Sequence, residues 1–383
     1  MKICRNVLCL CFLVYMAFPL ISFGQTHVKV MYEAGKYGGW PANWGMWNWG
    51  NEILVGYSYA DHKNIEGHGH AYDRKSSLAK FSRSLDGGVT WTMEDAYEHG
   101  ITEATWEHNL GAKSKAATKL AEPIDFKHPD FAFTFRTQSE LDGRTSFYYT
   151  YDKGKHWNGP YALLVDFEGA TPAGIVSRTS YIVEGKHAMV AFLTVGFRDK
   201  RRDWRQVACV RTDDGGKTWK HLSWIGPPQI NSIMPAAVKL KSGKLLTIIR
   251  RTNPPMMVAF ESTDGGKTWT QLNDPVKVDA NGHPPALVAL NDGRLCLVYG
   301  IREASTMDDG IGMYVTYSSD DGKSWETPVL LRGKDGAVWD IGYPRAVLLP
   351  DGNIVATYYY NNVNWGDSYR YISATIFDPK RGK

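Results

Sequence analysis

The stretch STDGGKTW, residues Ser262–Trp269, puts a hydroxyl, a carboxylate, a glycine and a second hydroxyl at alternate positions and then a tryptophan. The pattern recurs as SLDGGVTW (84–91), TYDKGKHW (150–157), TDDGGKTW (212–219) and SSDDGKSW (318–325), with His156 taking the place of the second hydroxyl in one copy. Each position has a mechanical reason. The Asp accepts hydrogen bonds from backbone N–H groups of its own turn, the Gly takes a positive φ, and the Trp is expected to pack against the next strand. Five copies therefore read as five hairpin turns, which are scaffold and not catalytic machinery.

The tryptophans at 91, 157, 219, 269 and 325 stand 66, 62, 50 and 56 residues apart. A recurring spacing of this size signals a repeat architecture, and it matches a four-stranded propeller blade with loops of varying length. Apolar or alternating runs before each turn read as the second and third strands of a blade. They are EILVGYSY with LAKFSRS, FAFTFRT with TSFYYTY, AMVAFLTVGF with RQVACVRT, KLLTIIR with MMVAFES, and RLCLVYG with GMYVTYS. A sixth pair, NIVATYYY and YRYISATIF, has no such turn, and HVKVMYEA near residue 27 is the expected outer strand that closes the ring. The expectation is an all-β protein, a six-bladed β-propeller of four-stranded antiparallel blades, occupying residues 26–383 as one unit.

The opening MKICRNVLCLCFLVYMAFPLISFGQ has a basic head, a short apolar run and a small or polar end. This reads as a signal peptide over residues 1–25, hence a secreted or periplasmic protein with no membrane insertion; a lipid anchor on Cys9 or Cys11 is the weaker reading. Without residues 1–25, which carry Lys2 and Arg5 and no acid, the net charge of +4 becomes +2. That is too little for a nucleic-acid partner. Only Cys209 and Cys296 remain, in blades that do not adjoin, so two buried thiols are expected and no disulfide framework. The 14 Trp and 21 Tyr of the chain suit a large core and lean towards sugar binding.

The repeated turns resemble those of the sialidase-like (Asp-box, or BNR) β-propeller superfamily, over essentially the whole mature chain. The resemblance implies that the box turns share one face, with the ligand on the opposite face around the channel mouth. Loops joining second to third strands, and segments leading into inner strands, then supply the site. Arg136, Arg198, Arg250, Arg251 and Arg302 fall at the former positions and Arg178 and Arg345 at the latter. Each guanidinium can simply pair with a loop carboxylate such as Asp199, Glu303 or Asp308. Repetition in four blades argues that some of them hold a carboxylate or sulfate by a bidentate fork.

The first blade has the long loop YADHKNIEGHGHAYDRK (59–75), which adds His62, His68, His70, Tyr72 and Arg74 to that face. Where exo-sialidases place an Arg-Ile-Pro motif, this chain has Trp40-Pro41-Ala42-Asn43. The segment GGWPANWGMWNWGNEILVGY (38–57) instead looks like the opening of sialidase-like propellers that act on rhamnose–uronic acid linkages, both α-L-rhamnosidases and lyases. WDIGYPRAVLLPDGNIVATYYYN (339–361) is typical of the superfamily's last blade and supplies Asp340, Tyr343 and Arg345.

Hydrolysis needs an acid with a second carboxylate or a tyrosine–glutamate nucleophile, and Asp61, Asp73, Glu107 and Asp340 are candidates. Elimination from a uronic acid needs an arginine on the sugar carboxylate, a base for the α-proton and an acid for the leaving group. The arginines and the His/Tyr loop suit elimination better. The leading expectation is a lyase or dehydratase acting at the non-reducing end of an acidic oligosaccharide. His68 or His70 would be the base and Tyr72 or Tyr343 the acid, while Asn43, Arg74, Arg136, Arg178, Arg198, Arg251, Arg302 and Arg345 bind substrate. His108 and His283 are second-line candidates. The alternatives are an exo-glycosidase of sialidase or rhamnosidase type and a non-catalytic glycan-binding propeller. No cofactor is implied; His-x-His at 68–70 with His62 or Asp73 would be the only metal reading.

Overall fold

The computed structural model describes residues 24–64, 70–105, 108–139, 143–198, 203–279, 283–333, 335–336, 339–361 and 369–380. Six small, largely antiparallel sheets form the blades of a propeller; most are laid down in chain order from inner to outer strand, and blade six takes its outer strand from the start of the chain. Blade one has an inner strand split into Lys36–Gly39 and Met46–Trp49, followed by Glu52–Asp61, Leu78–Ser84 and Thr92–Asp95. Blade four is Ser232–Lys239, Leu245–Thr252, Pro255–Ser262 and Thr270–Gln271, and blade five is Ala286–Ala289, Leu295–Ile301, Gly312–Ser318 and Val329–Gly333. Blade six comprises Gly342–Leu348, Ile354–Tyr360 and Tyr371–Phe377, with Thr26–Met31 as its outer strand. The first strand thus closes the ring on the last blade, as expected of HVKVMYEA.

Two blades depart from the expected four strands. Among the described residues, blade two has three, Ala132–Thr137, Thr145–Thr150 and Asn158–Ala162. Side chains satisfy part of the backbone that leads into it: Glu103 N donates to the Tyr148 hydroxyl at 2.9 Å and Ala104 N to Ser114 Oγ at 2.8 Å. Blade three has a split inner strand, Gly174–Ile175 and Tyr181–Val183, then Met189–Arg198, Asp203–Thr212 and Trp219–Ile225. Val165–Asp166 adds to its outside in parallel.

All five repeated turns have the same wiring. In the box of blade four, Ser262 Oγ accepts from Gly266 N at 2.9 Å and donates to Asp264 Oδ1 at 2.8 Å. Asp264 Oδ1 also accepts from Thr268 N at 3.0 Å, and Oδ2 accepts from the Thr268 hydroxyl at 2.6 Å. These bonds hold the Asp264 and Asp86 carboxyls well below the usual carboxylate range. In the variant box, His156 Nδ1 replaces the hydroxyl at 2.7 Å from Asp152 Oδ2.

The box tryptophan does not pack on its own next strand; it lies against the preceding blade. Trp157 of blade two sits with Trp44, Leu54 and Phe81 of blade one, Trp219 with Phe133, Phe135 and Phe147 of blade two, and Trp269 with Val190 and Phe192 of blade three. The box glycine approaches the same neighbour. A Cβ on Gly154 would lie 2.4 Å from Leu54 Cδ2, and one on Gly266 would lie 2.6 Å from Cys209 Sγ. Each box is therefore a blade-to-blade clamp as well as a turn. Cys209 and Cys296 are buried free thiols, raised by burial, Cys209 to about 12.

Gly154→Ala should destabilise the fold by roughly 2–4 kcal/mol, combining the cost of a left-handed residue with the clash on Leu54. Gly243 has a similar φ of 87° but nothing within 4 Å of an added Cβ, so Gly243→Ala isolates the backbone cost. Denaturant unfolding should separate the two by at least about 1 kcal/mol; equal losses would count against the clamp.

Candidate functional site

Opposite the boxes, a cavity of about 290 Å³ opens at the channel mouth, with walls from four blades. Blade one supplies Trp40, Asn43, His70 and Tyr72; blade three Val176, Arg178, Thr194 and Arg205; blade four Ile233, Met234 and Arg250; blade six Tyr343. Three of these residues share a backbone device. Trp40, Met234 and Tyr343 have φ of 57°, 54° and 53°, each immediately before a proline. The pairing register shifts across Ile233/Ala236 and Gly342/Arg345, so the latter two sit in bulges of their inner strands. Bulges re-aim side chains, and strained left-handed residues persist where surrounding structure fixes them. The inner strands of three blades are thus broken where they meet the cavity.

Behind the cavity lies Asp340, whose side chain has no exposed surface. Its Oδ1 is 2.8 Å from His70 Nδ1 and accepts from the Tyr359 hydroxyl at 2.6 Å. Its Oδ2 accepts from Arg370 Nε at 3.1 Å, and an Arg302 nitrogen lies 3.9 Å from Oδ1. Burial alone would raise this carboxyl; the His70 hydrogen bond and the charges of His70, Arg302 and Arg370 outweigh it and hold it below the usual range. His70, one-third exposed, is thereby oriented through Nδ1, which leaves Nε2 for the cavity. Its ring meets Trp40 edge-on at 5.0 Å, and Tyr72 packs on Trp40 and Tyr37 at 5.0 and 5.2 Å.

Tyr343 faces this dyad from blade six. Its hydroxyl accepts from Arg250 Nη1 at 2.9 Å. Burial would raise the phenol, yet the cations of Arg250, Arg302 and Arg178 bring it below its ordinary value. Arg178 is steered by Asn43, whose Oδ1 accepts from its Nε at 2.7 Å. Arg178, Arg205 and Arg250 therefore give one wall positive charge, while His70, Tyr72 and Trp40 form the other. Among the described residues lining the cavity, none is Asp or Glu.

Of the candidates named from the sequence, the cavity gathers His70, Tyr72, Tyr343, Asn43, Arg178 and Arg250, and not the other arginines. Arg136 is buried, with its guanidinium 3.0 Å from the Trp44 ring centroid, and donates to Asn43 O at 3.3 Å. Arg302 is buried behind the site, where it donates to Ile341 O at 2.9 Å and to the Tyr359 hydroxyl. Arg345 donates to Ala42 O at 2.6 Å and lines a separate channel cavity below. Arg251 points away from its neighbour Arg250, towards Met256 at 3.7 Å, because adjacent strand residues face opposite sides of the blade. Arg74 and Arg198 are exposed outside the lining. The expectation that these six share the mouth is corrected accordingly: strand parity and burial assign most of them to scaffolding.

Other candidates lie away from the cavity. His108 and His283 are buried, and burial lowers them to about 3 and about 4. His283 Nε2 is 3.1 Å from Asp279, and a Cβ on Gly300 or Gly342 would lie 3.3 or 3.4 Å from its Nδ1. Asp61 pairs with Lys36 at 2.7 Å and Asp73 caps a short 3₁₀ turn by accepting from Lys75 N at 3.0 Å. His68 and Glu107 lie outside the described residues. Among the described residues, no group of three or more His, Cys, Asp or Glu is placed to hold a metal. Arg205, Met234 and Arg370 were not singled out from sequence. The dipeptides Trp-Pro, Met-Pro and Tyr-Pro leading into inner strands carried the signal for Met234.

A family model described as a BNR repeat-like domain matches residues 115–356. Comparison with curated proteins gives no match. Among solved structures, a protein of unknown function from Dyadobacter fermentans is similar with a TM-score of 0.69 and 18% identity, over 93% of this chain and 99% of its own. Trypanosoma rangeli sialidase in complex with 2,3-difluorosialic acid gives 0.60 and 13% identity, over 93% of this chain and 59% of that one. Penicillium chrysogenum α-L-arabinanase complexed with arabinobiose gives 0.57 and 14%, over 93% and 98%. At these identities the likeness is one of fold, a sialidase-like six-bladed propeller shared with glycosidases.

Asp340→Asn should cost roughly 3–5 kcal/mol, since it leaves the buried Arg302 and Arg370 cations without their counter-charge. Asp61→Asn, which breaks only the exposed pair with Lys36, should cost less than about 1 kcal/mol. Denaturant titration of both variants checks the contrast.

Proposed function

The chain belongs to the BNR repeat-like domain family, and on that premise we propose that it is an exported carbohydrate-active enzyme that cleaves acidic oligosaccharides from the non-reducing end by elimination. The observation that carries this reading is the His70–Asp340 pair facing Tyr343 across a cavity whose other wall holds Arg178, Arg205 and Arg250. Residues 1–25 serve as the export signal in this reading.

The chemistry follows from the parts. Arg178 and Arg205 hold the uronate carboxylate and neutralise it, which acidifies the α-proton at C5. His70 Nε2 removes that proton, and the buried Asp340 carboxylate stabilises the imidazolium. The C5–H electron pair forms the C4=C5 double bond as the C4–O4 bond breaks. Tyr343 gives its proton to the departing oxygen, a transfer favoured by the cations that lower its pKa. The resulting phenolate and imidazolium exchange protons with solvent to reset the site. A cavity of about 290 Å³ suits one terminal sugar better than the middle of a chain.

The rival is an exo-glycosidase with Tyr343 as nucleophile. Its support is the fold shared with sialidases and arabinanases and the same depressed phenol. Such a mechanism also wants a carboxylate beside the tyrosine, and the hydroxyl partner here is Arg250. A panel of rhamnosyl-glucuronides, ulvan-type and pectin-type oligosaccharides and sialosides decides between them by mass spectrometry and ultraviolet absorbance. Elimination gives an unsaturated product with no gain of water, and His70→Ala and Tyr343→Phe should each lower kcat by about 10²–10⁴-fold. Products that all gain water, or release of sialic acid alone, would refute elimination.

A further inference from the structure

A second concavity lies outside the site, along the seam between blades two and three. Its volume is about 940 Å³, some three times that of the cavity. Among the described residues that line it, exposed Lys119, Arg144 and Lys217 stand against one exposed carboxylate, Asp166. The other acid, Glu103, is buried, and burial raises its carboxyl despite hydrogen bonds from Ser146 and Gln138. The described lining of the groove is thus cationic. Leu164 at its edge is 57% exposed.

One end of the groove runs onto stacked aromatic rings. Phe167, which lines the groove, stacks on Trp224 at 5.4 Å and 18°. Trp224 meets Phe197 edge-on at 5.4 Å, and Phe197 stacks on Trp204 at 4.1 Å and 14°. Phe197, Trp204 and Trp224 are only half-buried. Aromatic planes beside cations match a chain of sugar rings that present apolar C–H faces and carboxylates. An extended peptide would seek a free strand edge. At this seam, Val165–Asp166 already covers the outer strand of blade three, and Thr118 pairs with Tyr161 on the outer strand of blade two.

We propose that the groove between blades two and three is a non-catalytic binding site for an acidic polysaccharide chain. Ile175 lines the groove and Val176 lines the cavity, so the two sites lie back to back across the inner strand of blade three. A polymer held in the groove keeps chain ends concentrated near the cavity. The proposal rests on the acidic-glycan reading of the site only for the choice of probe.

The test is affinity electrophoresis of the full protein through gels containing polygalacturonate or ulvan, with hydroxyethyl cellulose as the neutral control and polyglutamate as the acidic peptide control. Wild type and His70→Ala should be retarded alike by the acidic polysaccharides, less so as salt is raised. The exposed-residue variant Lys119→Ala/Arg144→Ala/Lys217→Ala, with circular dichroism unchanged, should bind at least tenfold more weakly. Its turnover of a short oligosaccharide should match wild type. Retardation of the triple variant equal to wild type would overturn the groove, as would equal retardation by polyglutamate. Retardation of a wild type that turns over none of the panel would support the groove and sink the elimination reading, so the two failures are distinguishable.

Discussion

A carboxylate with no contact with water must be matched by donors or cations, and Asp340 is matched on every side. Its partners come from three places: the long loop of blade one through His70, blade five through Arg302, and blade six through Tyr359 and Arg370. The partners of this one anion therefore come from the blades that flank the closure of the ring. Burying an ion costs several kcal/mol before pairing, so any rearrangement that withdraws a partner is resisted. The same interaction orients the His70 imidazole at the cavity. Closure of the ring and orientation of His70 thus draw on the same carboxylate.

Around that anion, the propeller divides its labour between faces. The boxes clamp each of blades two to five to the blade before it, through the tryptophan and the glycine that allows the close approach. The box of blade one does the same to blade six, with Trp91 at this seam and a Cβ on Gly88 facing Val355, while blade six has no box and packs on blade five through Val298, Val315, Tyr358 and Tyr371. Rigid clamps on one face permit strain on the other. Left-handed Trp40, Met234 and Tyr343 each precede a proline and turn side chains into the cavity. A position held against its backbone preference is an economical way to fix a reacting group.

The fold was legible because its signal is local and repeated: five turns at a recurring spacing, each with a physical reason for every residue. The closing strand was legible because an edge needs a partner. That blade two shows three strands among the described residues was not, because side chains such as Tyr148 and Ser114 take up backbone donors there, and side-chain hydrogen bonds leave no period. The site was legible in part. Topology brought His70, Tyr72, Tyr343, Asn43, Arg178 and Arg250 to one mouth. It could not sort the arginines, since Arg250 and Arg251 differ by one residue and face opposite ways. Nor could it distinguish a guanidinium that meets a ligand from one, like Arg136, stacked on a buried tryptophan. Arg205 sits inside a run that reads as plain strand.

In the proposed reaction, proton removal by His70, oriented by Asp340, starts bond cleavage. The C5–H bond is then the one that breaks in the committed step. The most direct measurement compares turnover of a uronate oligosaccharide carrying deuterium at C5 with the unlabelled compound, in water enriched in oxygen-18. Elimination predicts slower turnover of the deuterated substrate by about twofold or more, and no oxygen-18 at the new ends. Equal rates together with oxygen-18 in the product would contradict it and assign the cavity to hydrolysis.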